Sequence, residues 1–251
     1  MDVISTRDSE RSSDGHEAQR GKGTLVDQAY ALIKSDIIAC EIAPGSTVTA
    51  QWLHERYQIS LMPVRSALER LIESDWVASL PQRGYRVAPI TVGDIVALYD
   101  LVESVSPKLA RLSAGRVNDR LDVLRRLAAA ANPPVAPTSK TEIVRMVQAG
   151  SELLGQVRVA SGNRYAIALT LQITERLDRA LFARLRVPGV PVDYRRDFTH
   201  LIDALARGDG DAAEAASLAS VRKMRSLMLN EILTAPGVSE LDFPRALQPG
   251  R

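Results

Sequence analysis

The chain is poor in the residues that build disulfides, membrane spans and metal cages. One residue of 251 is cysteine, Cys40, so no internal disulfide can form. Cys40 lies in the apolar run IIAC and reads as a buried, inert thiol. Aromatics supply 4% of the chain against 45% hydrophobic residues in all, which points to Leu, Ala and Val packed between helices. Every apolar run falls short of the ~20 residues that cross a bilayer. The opening segment, residues 1–23, is polar, rich in Ser and Gly and without the apolar stretch of a signal sequence. It reads as a disordered tail, and the protein as cytoplasmic. A formal net charge of +2 excludes a broad basic surface, so any nucleic-acid contact must come from a few well-placed cations.

What is present is a sequence of local signals. Leu25, Ala29, Leu32, Ile33 and Ile37 recur at three- and four-residue steps and predict a first helix with one apolar stripe, ended before Pro44-Gly45. A short helix follows over Thr49–Tyr57, with Thr49 as its cap and Leu53, Trp52 and Tyr57 buried. After a tight turn comes a third helix with Ser60 as cap. Ile59 and Val64 form a hydrophobic staple, and Pro63 lies in the first turn, where a missing N–H costs nothing. Val64, Leu68, Leu71 and Ile72 make its buried stripe, and Leu61, Met62, Arg65, Ser66 and Glu69 its outward face. Beyond Asp75 the period drops from 3.6 to 2. Two short strands, Val77–Leu80 and Tyr85–Val87, flank Pro81-Gln82-Arg83-Gly84, which suits a type I turn with a basic tip.

From Thr91 the pattern is almost wholly helical, with helices over 92–116, 118–131, 139–160, 163–186, 192–207 and 210–233. Pro107 should kink the first of these or mark an irregularity. Gly162 ends one of them as a C′ glycine. NPPVAPTS at 132–139 and Pro188–Pro191 are loops. The fold class is therefore mostly α. An N-terminal winged helix-turn-helix at 24–90 precedes an all-α bundle at 91–235, with a C-terminal tail at 236–251.

The segments DIIACEIAPGSTVT, PVRSALERLIESDWV and QRGYRVAPIT resemble the winged helix of GntR-type transcription regulators. VGDIVALYDLVESVSPKLARLSA, VASGN at 159–163 and LIDALARGDGDAAEAA at 201–216 resemble the FadR-type helical effector and dimerisation domain, the FCD domain. The resemblance implies a homodimeric, sequence-specific DNA-binding regulator, a repressor, whose binding to a double-stranded operator answers to a small-molecule effector. Carried over by position, Arg65 is a recognition-helix arginine, Arg83 and Gly84 the wing tip, and Gln51 a DNA-facing residue of the preceding helix. An arginine on an exposed helix face can fork onto guanine or a phosphate, and a basic wing tip suits a narrow minor groove. One departure stands out. Leu61-Met62 occupies the place of the usual Arg-Thr, leaving apolar groups that can contact a thymine methyl. Leu61, Met62 and Ser66 thus complete the expected DNA-binding set, and a module whose DNA reading has decayed is the alternative.

The resemblance also implies a metal held by an Asp and a His four residues apart and by two later histidines, with a carboxylate effector on it. The matching positions here are Gly150, Leu154, Phe198 and Ser220, and a carboxylate-holding arginine is replaced by Val102. His16, His54 and His200 lie elsewhere. No metal site and no cofactor are therefore expected. These five residues mark an effector pocket that is either filled by side chains or takes an apolar or acyl-type ligand, with Arg145, Arg158 and Ser220 as polar anchors or, for the two arginines, surface residues. No nucleophile–base pair or phosphate loop is legible, and Ser113 and Asp203 have no evident catalytic partner, so no enzyme is expected.

Overall fold

The computed structural model describes residues 23–185 and 193–234. The expected N-terminal tail up to residue 22, His16, the Pro188–Pro191 loop and the segment beyond Ala235 lie outside them. Two compact units emerge. Of the described residues, one holds those up to Ser35 together with Thr47–Arg86, and the other holds Asp36–Ser46 and those from Val87 onward.

In the first unit, α1 (Leu25–Ile38) leads to β1 (Thr47–Val48), α2 (Ala50–Tyr57), α3 (Leu61–Glu73), β2 (Val77–Leu80) and β3 (Gly84–Val87). The strands form one small sheet in the order β1-β3-β2, with Thr47 opposite Arg86 and Val48 opposite Tyr85 in antiparallel register. Local chemistry accounts for each boundary. Thr49 caps α2 by accepting the Trp52 amide. Three residues, Gln58 to Ser60, then make the turn, with Gln58 in the left-handed region and its N–H on the His54 carbonyl. The His54 ring closes the same turn: Nδ1 lies 2.8 Å from the Ile59 carbonyl and must carry the proton, since a carbonyl only accepts. Ile59 and Val64 are both buried, as a staple requires. Ser60 holds the cap position, but its side chain makes no capping bond.

The buried set differs from the periodic expectation in three places. Ala29, Ile33 and Ile37 are fully buried, whereas Leu25, on the same face but at the first position of α1, is 57% exposed and Leu32 also faces outward. Trp52 is exposed; Leu53 alone takes the inward face of α2, and Trp52, one residue earlier, sits about 100° round the helix with the Arg56 guanidinium over its ring. On α3 the fully buried residues are Val64, Ala67, Leu68 and Leu71, and Ile72 is half-buried. The hairpin turn is also of another type. Arg83 N–H bonds to the Leu80 carbonyl at 3.0 Å, with Pro81 and Gln82 between them. Proline holds φ near −65°, and Gln82 has φ +61°, which is the third-position signature of a type II turn rather than type I.

The second unit contains α4 (Val92–Ser113), a 3₁₀ turn (Asn118–Arg120), α5 (Leu121–Ala131), α6 (Lys140–Ala160), α7 (Arg164–Leu185), α8 (Thr199–Arg207) and α9 (Gly210–Thr234). α4 packs along α9 and also meets α6 and α7, while α5 packs on α6 and α8. Ser139 and Glu142 form a reciprocal capping box at the start of α6. Gly162, with φ +71°, closes it as expected. α4 runs unbroken through Pro107 but stops at Ser113, where Ala114 turns extended and the Gly115 N–H goes to the Leu205 carbonyl. The helix expected from residue 192 begins only at Thr199. The backbone ahead of it is spoken for: Arg196 N–H bonds to the Ala131 carbonyl, and Asp197 accepts the Thr199 amide.

Two apolar clusters make up the interior of this unit. One gathers Leu124, Leu153, Val157, Phe198, Leu201 and Leu205; the other gathers Ile95, Tyr99, Val102, Met146, Ile173 and Met228. Pairs such as Glu103 with Arg222 and Arg225 and Lys108 with Glu214 line the α4–α9 seam, each partly exposed to solvent; surface pairs add about 0–1 kcal/mol each. No described helix is long and apolar enough to cross a membrane.

Candidate nucleic-acid interface and ligand cavity

In the first unit, α2 and α3 meet at the tight turn and leave one face of α3 open. Met62, Arg65 and Glu69 are exposed on it, Met62 at 73%, while Leu61 and Ser66 are half-buried. The cations of the unit divide into two groups. Arg70 pairs with Asp27 at 2.7 Å and stacks on Tyr30, Arg56 lies over Trp52 and Tyr57, and Lys34 lies over Tyr30 and Trp76. Arg65 on α3 and Arg83 at the hairpin tip are exposed, and their side chains make no hydrogen bond or ion pair among the described residues. Those two guanidiniums stay available to an external anion. Gln51 is exposed but already donates to Glu55 Oε1 at 2.8 Å along α2.

Gly84 has an internal reason to be glycine. Its φ is +98°, and a Cβ there would stand 2.4 Å from the Val48 carbonyl oxygen on the adjoining strand. The hairpin therefore needs glycine at this point before any ligand arrives.

In the second unit, a cavity of about 90 Å³ opens where the two apolar clusters meet. Val102 and Leu154, both singled out by sequence, line it together. Their neighbours include Leu109, Met146, Val157, Leu181 and Val221. Gly150 and Phe198 do not line it. They pack against each other, with the Phe198 ring 3.5 Å from where a Gly150 Cβ would be, and Phe198 is 1% exposed. Ser220 lies beside Phe198 and His200 around a neighbouring hollow, and accepts a hydrogen bond from Arg196 Nη2 at 3.0 Å.

The charged part of the cavity joins Arg158, one of the anchors the sequence offered, with two residues that sequence reading passed over. Arg145 is exposed, but Arg158 is half-buried and lines the cavity, so the two arginines do not share a surface fate. Asp178 on α7 and Arg196 before α8 line the cavity with it. Asp178 accepts a hydrogen bond from Ser151 Oγ at 3.2 Å. Burial pushes its carboxyl up to about 6, in spite of that bond and of the nearby Arg196 and Arg158 charges. Burial also lowers both guanidiniums from their ordinary values, with Asp178 acting against that, and raises the Tyr99 hydroxyl. Arg196 Nε is buried without a hydrogen-bond partner, while the flat of the guanidinium lies 4.8 Å from the Phe198 ring centre.

A family metal does not fit the residues at the positions expected for it. Gly150, Leu154 and Phe198 carry no donor, and Phe198 with Gly150 fills the space. Among the described residues, no group of three His, Cys, Asp or Glu side chains could hold an ion. His200 is exposed and His54 belongs to the turn of the first unit.

Known proteins resemble the chain in both units. Residues 18–87 match the gntR family of bacterial regulatory proteins, and residues 97–223 match the FCD domain. The HTH-type transcriptional repressor RspR of Escherichia coli K12 is 28% identical over 92 residues, which are 37% of this chain and 40% of RspR. The HTH-type transcriptional repressor GlaR of the same strain is 29% identical over 99 residues, 39% of this chain and 45% of GlaR. The matched stretch thus spans less than half the length of these curated relatives. In fold, E. coli McbR/YncC superposes with a TM-score of 0.72 at 15% identity, covering 84% of this chain and 99% of that one.

Proposed function

Because the chain belongs to the gntR family of bacterial regulatory proteins and carries an FCD domain, we propose that it is a transcription regulator, a repressor, that reads double-stranded DNA as a homodimer and answers to a small-molecule effector. The observation that carries the DNA part is the pair of untied guanidiniums. Arg65 stands on the open face of α3 and Arg83 at the hairpin tip, while neighbouring cations are engaged inside the unit. In a winged helix-turn-helix, α3 enters the major groove and the hairpin lies beside it. Arg65 then meets a guanine edge or a phosphate, Arg83 meets the minor groove, and Met62 and Leu61 offer apolar contact to thymine methyls. With few free cations, salt dependence is modest for a DNA binder.

The helical unit supplies the effector site, in the cavity between α4, α6, α7 and α9. A ligand that binds one conformation of the dimer better than the other shifts the population, and half-site spacing makes DNA sensitive to that shift. This reading involves no catalysis. The Ser113 hydroxyl is buried within reach of the Leu109 and Val157 carbonyls, with no base beside it, and Asp203 is exposed.

The test is an electrophoretic mobility shift with the DNA upstream of the protein's own gene, at low salt. Wild type should retard it and Arg65→Ala should not; absence of any shift, or an unchanged shift in the variant, overturns the operator reading. The 73% exposure of Met62 favours one second reading, a ligand-binding module that has lost sequence discrimination. Selection from random duplexes separates the two: an enriched sequence supports the regulator, and no enrichment supports the module.

A further inference from the structure

The cavity in the helical unit has unequal charges. Two guanidiniums, Arg158 and Arg196, and one carboxylate, Asp178, line it. The Arg158 side chain makes no hydrogen bond among the described residues, and Arg196 Nε is buried with none. The rest of the wall is mainly apolar: Val102, Leu109, Val147, Leu154 and Leu181. Unbonded guanidinium donors in an apolar pocket are costly unless an anion completes them, and guanidinium–carboxylate geometry is the usual way to do it.

We propose that the effector is a small amphipathic anion, held without metal by Arg158 and Arg196, neither of which has an ion-pair partner among the described residues although Asp178 lines the same cavity. This rests on the regulatory reading of the helical unit and adds the chemistry of the ligand. The size follows from the cavity. It measures about 90 Å³, below the ~150 Å³ apolar cavity that accepts benzene, so the apolar body is a few carbons long rather than an extended acyl chain.

Asp178 gives the site a pH signature. The charged and titratable groups around it are Arg158 from α6, Arg196 and Tyr194 from the segment before α8, Tyr99 from α4 and Glu175 on its own helix; the α9 wall of Ser217, Val221, Met224 and Met228 adds none. In the ligand-free protein the carboxyl titrates near 6. A second anion beside it disfavours its ionised form, so binding takes up a proton wherever Asp178 starts ionised. Affinity is level below about pH 6 and falls as pH rises above it. An Asp178→Asn variant mimics the protonated form, binds more tightly at pH 8 and loses the pH dependence.

The experiment is isothermal titration calorimetry on the full chain between pH 5.5 and 8, without DNA. The probes are sodium acetate, propionate, butyrate and hexanoate, with butyramide as the neutral match and inorganic phosphate as an anion lacking an apolar body. Expected are binding of a short carboxylate with no response to a chelator, affinity about tenfold lower or worse in Arg158→Gln, and a flat profile in Asp178→Asn. Since Arg196 also packs on Phe198, Arg158→Gln is the cleaner variant, and unchanged far-UV dichroism shows it folded. Binding of none of the carboxylates, equal binding of butyramide or phosphate, loss of binding with chelator, or unchanged affinity in Arg158→Gln overturns the proposal. Because the assay contains no DNA, its failure leaves the operator reading to the mobility shift, and failure of the shift leaves this binding intact.

Discussion

The two units use arginine in opposite ways. In the winged unit Arg65 and Arg83 stand in water with nothing attached, so each is free to spend its charge on a partner. In the helical unit Arg158 and Arg196 are drawn into an apolar cavity beside a single carboxylate, and burial works against all three charges. An exposed guanidinium is cheap to keep and weak until it meets another surface. A buried one is costly, strongly coupled to its neighbours and sensitive to whatever anion arrives. In the proposed function the exposed cations serve recognition and the buried ones ligand sensing.

The most severe way to probe this contrast is to empty the core beside the cavity. Phe198 is almost fully buried, packs on Gly150 and carries the Arg196 guanidinium against its ring. Phe198→Ala should lower unfolding free energy by about 3–5 kcal/mol in urea denaturation. A loss well under 1 kcal/mol would mean this position is an open ligand site instead of core.

A smaller change tests the burial of charge itself. The Asp178 carboxyl is raised to about 6, so the folded state holds its proton over a range where the unfolded chain has lost it. Stability from this group is greatest below the unfolded value near 4 and declines as pH rises to about 6. Asp178→Asn should then be more stable than wild type at pH 8 by about 2–3 kcal/mol, a gain that fades as pH falls toward 4. Melting both proteins across that range checks it; destabilisation at pH 8 would show that Asp178 serves the arginines more than burial costs it.

The exposed pair should behave in the reverse sense. Arg65→Ala and Arg83→Ala each cost about 1–3 kcal/mol of operator affinity. Both leave unfolding free energy within roughly 0.5 kcal/mol of wild type. Fluorescence anisotropy with labelled DNA and thermal melts read the two quantities separately, and a drop in stability would show a structural role that the absence of partners argues against. Least affected should be Arg145→Ala. This exposed arginine lies on the same helix as Arg158, and its loss should change stability by less than about 0.5 kcal/mol and leave anion affinity untouched.

The winged unit was largely legible because its determinants are near neighbours in the chain. Thr49 reaches the Trp52 amide, Ile59 sits opposite Val64 across a cap, and the period changes at a residue one can point to. Its errors in burial share one cause. Periodicity says which residues are apolar, whereas burial also depends on which face, and how far toward its ends, a helix is covered, so Trp52 and Leu25 ended outside. The turn at Pro81 was misassigned because a type II turn usually shows glycine third, and here Gln82 takes the positive φ. In the bundle the long helices were legible, but the start of α8 was not. Its apolar pattern continues back through Tyr194, while the backbone there is held by Ala131 and Asp197.

By itself the sequence determined the class of fold, the order of its elements, the exposed cations and the absence of donors where a metal would sit, since each is written in residue type and short spacing. Only the tertiary structure decided which charged groups line the cavity of the helical unit. Tyr99, Arg158, Asp178 and Arg196 come from separate segments of the chain, share no periodicity and become one charged cavity only when α4, α6, α7 and the segment before α8 pack around it. The physical reason is that a buried charge is defined by its surroundings. Its cost, its partners and its titration are properties of a packed interior, and no window of sequence contains them.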